Sequence, residues 1–384
     1  MTFANKTTAW LTTLAVAGTL WFGGQAIAQE AKIQDALTWL DRIGVLNGSE
    51  PWTIEELESA TNIRFTNDAK RLIVDEDLIY LTALPELRNL DLGGSVTDGL
   101  TDAGMAYIAA IPNLQRLTVA VTNVGDAGVA ELAGHPNLFF VDLSGTPITD
   151  AAIETLVNLP SLGEAQLSNT AITDAGLATL AQAESLEGLW LQDVPGITDA
   201  GLQHVGEMTN LRSLILDFSP VNQGVQHLAA LPNLENLQLM STPVDDSSAA
   251  HLANLDSVTH LGLWQTAITD ASMPVIASMP NLTSLRLDRT AITDAGLAAL
   301  AEASGLTRLY LSTNEGIDGS GLAALTDLPL NTIDLSRIEA IDDEDILVLG
   351  EIETLRSVSL RNTGVTEDGV ARLAEMLPDA RISH

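Results

Sequence analysis

Cysteine is absent from this chain, which excludes disulfide frameworks and thiolate metal sites. Basic residues are scarce: 17 Lys and Arg face 51 Asp and Glu, for a formal charge of −34. A molecule so acidic repels DNA and RNA as a whole, so nucleic acid is not an expected partner. Aromatic residues make up only 4% of the sequence, and no lysine follows Lys70. The spacings of a nucleophile elbow, a glycine-rich phosphate loop and a paired zinc motif are all missing. Asp342-Asp-Glu-Asp345 lacks the alternating spacing and the glycine of a calcium loop and reads instead as the start of a helix. No cofactor and no metal are expected.

Long apolar runs are also lacking after the first residues. Lys6, the stretch from Trp10 to Phe22 and the small-x-small triplet Ala26-Ile27-Ala28 have the three parts of a secretory signal, expected over residues 1–28. The competing reading is an uncleaved anchor. No further membrane span is expected, and the destination is the periplasm or the outside of the cell.

What the chain has in abundance is repetition. From Leu87 to Leu360 it reiterates Leu-x-x-Leu-x-Leu-Ser-x-Thr-x-Ile-Thr-Asp-Ala-Gly-Leu-x-x-Leu, with twelve copies opening 23 to 27 residues apart. A fixed period in this range marks stacked units, none of which buries its apolar face alone. In Leu162-Gly-Glu-Ala165-Gln-Leu167 apolar and polar residues alternate, as in a half-buried strand. Thr170 recurs as Thr146, Thr242, Thr266, Thr290 and Thr363, in place to satisfy turn backbone groups. Thr173-Asp174 then signals a helix start, and Leu177 and Leu180 share one helical face. The expected fold is an α/β solenoid: a curved right-handed coil with a parallel sheet on the concave face and helices on the convex face.

This motif resembles the leucine-rich-repeat superfamily, and its Leu-Ser-x-Thr-x-Ile-Thr-Asp-Ala-Gly-Leu wording looks like bacterial secreted members, whose repeats are similar to those of F-box proteins. The resemblance spans roughly residues 60–380. It implies a shared scaffold and no shared chemistry. The related F-box repeats carry a cysteine per unit and this chain has none, nor is there an F-box-like segment in residues 30–60, which weighs against an adaptor role.

The expected organisation is a signal over 1–28, a helical cap over 29–59 and the repeat domain over 60–384. Within the last, 60–86 is a degenerate first unit and 377–384 a C-terminal cap. Ile33, Leu37, Leu40 and Ile43 mark one face of a capping helix that Asn47-Gly48 ends, and Thr53-Ile-Glu-Glu56 matches a capping box.

Function is expected on the concave face, at the third, fifth, seventh and eighth places of each unit. Most residues there are small or polar. Two departures define the candidate ligand-binding residues. Trp190, Ile215, Phe218, Met240 and Trp264, with Phe140 two units earlier, form an apolar stripe of the kind that marks an interaction surface. Arg286, Arg308 and Arg337, with Arg289 and Arg361, reverse the sign of charge locally, and Tyr310 lies among them. Guanidinium groups suit carboxylates and sulfated or phosphorylated groups, although Asp288 and Asp334 could pair with two of them. The reading is a monomeric, non-catalytic scaffold binding a protein or peptide in the concave trough. The alternatives are a glycan or cell-envelope binder, a substrate adaptor by analogy with the F-box proteins, and a hydrolase. For a hydrolase, Asp91 and Asp142 stand at equivalent places two strands apart, roughly 10 Å, at or beyond the wide end for an inverting pair.

Overall fold

The computed structural model describes residues 32–94 and 99–384. The expected signal over 1–28 lies outside the described residues. The chain forms two compact units: one runs to Val141 and includes Leu159–Ser161, and the other comprises Asp142–Asn158 and Leu162–His384.

The first unit opens with a helix over residues 32–42. Its buried face is Ile33, Ala36, Leu40 and Ile43 together with Trp39, while Leu37 is half-buried. The helix ends at Gly44, whose φ of 72° is open to glycine. The expected stop at Asn47-Gly48 is instead the turn of a small hairpin, in which Leu46–Asn47 pairs with Glu50–Pro51. Thr53 and Glu56 do form a capping box, each side chain meeting the other's backbone N–H. The degenerate first repeat is a strand, Asn62–Ile63, in parallel register with Asn89–Asp91. Arg116–Thr118 continues that register.

The second unit repeats one plan. Three-residue strands from Glu164–Gln166 to Arg381–Ser383 pair in parallel, each with the next in sequence. Up to Ser357–Ser359, the middle residue of each strand and the residue two places after it point inward and are buried. Leu167, Leu191, Leu216, Leu239 and Leu263 are all fully buried, one per coil. Each fully buried leucine contributes about 1.5–3 kcal/mol through area removed from water.

The recurring threonine and aspartate hold the coils together. Thr170, Thr242 and Thr266 each donate Oγ1–H to the carbonyl three residues back, at 2.6–2.7 Å. Thr173, Thr198 and Thr293 cap their own helices by accepting the Ala175, Ala200 and Ala295 N–H groups. The aspartate beside each does something the sequence did not disclose. Asp150 accepts from Thr173 N–H at 2.8 Å and Thr173 Oγ1 at 2.6 Å, one repeat further on. Asp174, Asp246, Asp270 and Asp343 make the same tether to Thr198, Thr269, Thr293 and Thr366. Where glycine stands two residues after the threonine-aspartate pair, it leaves room for the aspartate of the previous repeat: a Cβ on Gly176 would strike Asp150, one on Gly201 Asp174 and one on Gly296 Asp270.

The expected α-helix gives way to 3₁₀ in two repeats that lack the threonine cap, although Asp126–Ala130 is α-helical without a side-chain cap. Gln223–Ala230 is 3₁₀, and Asn222 supplies no side-chain cap. Leu322–Leu325 is also 3₁₀, in a repeat that reads Ile-Asp-Gly-Ser-Gly in place of Ile-Thr-Asp-Ala-Gly.

The eighth place of the repeat has left-handed backbone. Asn169, Asp193, Phe218, Ser241, Gln265, Arg289, Thr313, Arg337 and Asn362 in the second unit, and Val121 in the first, have φ between 51° and 63°. That conformation turns each N–H toward the next repeat, as in Phe218 N–H to Met240 O at 2.8 Å and Gln265 N–H to Asp288 O at 2.9 Å. Val121 is β-branched, has φ 59° and is 56% exposed. Left-handed backbone costs a residue with a Cβ about 1–2 kcal/mol, and glycine's extra entropy returns about 0.5–1 kcal/mol. Val121→Gly is therefore expected to raise the melting temperature slightly and Val121→Ala to leave it nearly unchanged. A Val121→Gly protein that melts below the parent would show that the valine side chain stabilises the turn.

Candidate functional site

The strand face of the second unit carries two rows of outward side chains. Register places Trp190 beside Ile215, Ile215 beside Gln238, Gln238 beside Gly262, Gly262 beside Arg286 and Arg286 beside Tyr310. In the other row His260, Ser284 and Arg308 are consecutive.

Arg286 is the centre of the arrangement. Its guanidinium carbon lies 5.6 Å from the Trp264 ring centroid and 5.1 Å from that of Tyr310. Its Nε–H donates to Asp288 Oδ2 at 3.4 Å, a long contact, and no other protein acceptor meets the guanidinium among the described residues. The two aromatic rings flank a cation whose terminal edge stays open. Arg308, half-buried, donates Nη2–H to His260 Nε2 at 2.7 Å. Ser284 lies beneath that bridge and is 8% exposed.

Two carboxylates sit inside this face. Burial pushes Asp288 above the ordinary carboxylate range and Asp334 adds to the rise, while the Arg286 charge and the Ser312 N–H pull it down. Burial likewise raises Asp217, against the Met240 N–H, the Gln192 amide and Arg286. Carboxyl groups raised in this way are costly when charged, so their contribution disfavours folding at neutral pH and eases as pH falls through the raised values.

The remaining candidates are distributed differently from the expected stripe. Ile215 is only 7% exposed and offers little contact surface. Trp190 and Met240 are half-buried, and the Trp190 ring lies against Gly188, where a Cβ would collide with it. Phe218 is 52% exposed, at the left-handed corner beyond the strand and not on the strand itself. Phe140 belongs to the first unit apart from the others; it is 7% exposed, with the Arg116 guanidinium 3.9 Å from its ring centroid. As the first residue of its strand it is covered by that arginine and is not an open anchor. Arg337, exposed, lines a shallow cavity of about 740 Å³ with Thr313, Glu315, Glu339 and Asn362 at the loops following the strands. It does not join the cluster around Arg286.

Asp91 has a structural commitment. Lys70, only 7% exposed, donates to it at 2.8 Å and to Gly93 O at 2.5 Å. Asp342–Asp345 is a helix start in which Asp342 caps through Glu344 and Asp345 N–H. Among the described residues no group of His, Asp or Glu is arranged to hold a metal ion. His260 stands in the sequence only as a candidate for the hydrolase alternative; register is what places it in one row with Arg308 and so beside the cationic residues.

A leucine-rich-repeat family model matches residues 278–301, one repeat that includes Arg286. The fold is that of a leucine-rich-repeat protein. Among solved structures, an internalin from Listeria monocytogenes is similar, with a TM-score of 0.62 and 22% identity over 91% of this chain and 93% of that one. A leucine-rich-repeat protein of Leptospira interrogans matches with a TM-score of 0.41 and 14% identity over 79% of this chain and 92% of the other. A plant peptide hormone receptor matches with a TM-score of 0.44 and 16% identity, over 79% of this chain and 52% of the receptor. No curated protein matches the chain in sequence. The leucine-rich repeats thus position the Trp264–Arg286–Tyr310 stack on the open side of a layer of strands. No described helix is long and apolar enough to cross a membrane.

Proposed function

We propose that this protein is a non-catalytic recognition scaffold that binds a protein or peptide partner on the strand face of its second unit. The observation that carries this reading is Arg286, flanked by the rings of Trp264 and Tyr310 with its terminal nitrogens unpaired. Its one ion pair among the described residues, through Nε to Asp288 at 3.4 Å, leaves the Nη edge open; an oriented guanidinium with an open edge beside two aromatic rings is the composition of an interface hot spot. Trp190, Met240 and Phe218 extend the apolar contact, and Arg308 extends the cationic one. We further propose that residues 1–28 direct export to the periplasm or the outside of the cell. In the same reading 29–59 is a cap and 60–384 is the repeat domain.

The test is to pan a random-peptide library against the protein and challenge the enriched peptides with variants. Arg286→Ala is expected to abolish most binding, and His227→Ala, on the helical side, to leave it intact. Peptides indifferent to Arg286→Ala but lost with His227→Ala would place recognition on the helices. Turnover of a peptide, ester or glycan by the purified protein would overturn the non-catalytic assignment.

A further inference from the structure

In a chain with 51 acidic residues, no carboxylate among the described residues lies within ion-pair distance of Arg308. Among the described residues its one hydrogen-bond partner is an imidazole nitrogen, and its Nε is buried without a partner. A guanidinium is always a donor, so His260 Nε2 must accept from it. The proton of the neutral imidazole therefore sits on Nδ1, and this follows from the network around it. Thr259 Oγ1 lies 2.8 Å from Nδ1 and donates its own hydrogen to Glu235 O at 3.1 Å, leaving a lone pair to receive Nδ1–H. His260 is thus held neutral in one tautomer by one arginine.

The charged groups around the imidazole are few. On one side Glu235 attracts the protonated form, but it is engaged by Arg212 at 2.6 Å. On the other Arg308 opposes protonation, and Ser284 between them carries no charge. Burial first, and Arg308 second, hold His260 below the usual histidine range. A second proton would arrive on Nε2, the atom that now accepts from Arg308. It would remove the arginine's one acceptor and set two cations side by side.

We propose that Arg308 and His260 form a proton-coupled receptor for an acidic side chain, glutamate or aspartate, of the bound peptide. The proposal rests on the peptide-binding reading above. A carboxylate entering between the two groups accepts from Arg308 Nη and from the newly protonated His260 Nε2, so one proton is taken up as the acid binds. The shared charge separates this place from Arg286, which already has Asp288 beside it.

The experiment follows the His260 ring resonance by NMR in the full chain between pH 5 and 8, with His260→Gln to assign it. The probes are acetyl-glutamate amide, the neutral acetyl-glutamine amide, and inorganic sulfate and phosphate at matched ionic strength. The glutamate probe is expected to move the His260 titration to higher pH and the glutamine probe to leave it in place. Arg308→Gln should raise the titration without ligand and weaken the glutamate probe about tenfold or more, as loss of a charge-assisted hydrogen bond does. Arg308→Lys, which keeps the charge should the glutamine variant fold poorly, should retain part of the response. An unmoved titration in the presence of the glutamate probe overturns the proposal, and an equal response to sulfate or phosphate overturns its assignment to a carboxylate. Panned peptides that bind through Arg286 yet lack any acid requirement would overturn this receptor and leave the proposed function standing. A glutamate response with no peptide binding would do the reverse.

Discussion

Leu239→Asp is expected to abolish cooperative folding of the second unit. Leu239 has no solvent exposure and stands in a column between Leu216 and Leu263. Its N–H donates to Gly262 O at 2.9 Å and its carbonyl accepts Thr242 Oγ1 at 2.7 Å, so the backbone there has no room to move the side chain outward. An unpaired carboxylate in that place costs several kcal/mol. In a stack whose stability is passed between neighbours, the loss spreads to adjacent coils. Leu239→Ala should cost about 2–5 kcal/mol through the cavity it leaves, and Leu239→Met less than about 1.5 kcal/mol. Thermal melts by circular dichroism measure all three. An aspartate variant that melts with the parent would falsify the inward assignment of this column.

The second large effect is expected in binding. Trp264→Ala should weaken a peptide selected on the strand face by about 2 kcal/mol or more, roughly 30-fold in affinity. The substitution removes a half-buried ring and one of the two faces that orient Arg286. Trp264→Phe separates these contributions. The indole Nε1 is buried with no partner, so phenylalanine discards an unsatisfied donor while keeping an aromatic face. It should retain most of the affinity and fold at least as stably. Isothermal titration of both variants with one peptide decides the matter: equal binding by the alanine variant and the parent removes Trp264 from the site.

The sequence disclosed the fold through features that recur locally. Leu167 and its equivalents alternate with polar residues at strand spacing, and Thr173 precedes a helical run, so both could be read within one repeat. The tether from Asp174 to Thr198 could not, because its acceptor and donor lie 24 residues apart and the same aspartate suits the start of its own helix equally well. The proposed binding face is legible in composition but not in arrangement. Trp264 and Arg286 stand out as rare residue types, yet only register shows that one lies over the other. Phe140 and Ile215 match the expected pattern as well as Trp190 does, and what buries them is a neighbouring side chain or the packing of the next strand. The link from His260 to Arg308 spans 48 residues and exists only because two coils return to the same row.

The aspartate tethers make the repeat behave as an indivisible word. Each joins an aspartate to a threonine 23 or 24 places later, and the strands of the second unit pair at 23 to 25. A length change of one or two residues within a repeat must be absorbed in its loop, as the extra residue before Ile197 and before Ile317 shows. Loss or gain of a full repeat leaves every tether with an acceptor and every inward leucine in its column. Such an exchange keeps the packing plan but alters the proposed recognition face: excising the repeat that carries Ser284 and Arg286 would bring His260 and Arg308 onto adjacent strands and delete the cation between the two rings. Change in the number of repeats is thus a route by which this architecture can acquire new partners without relearning how to fold.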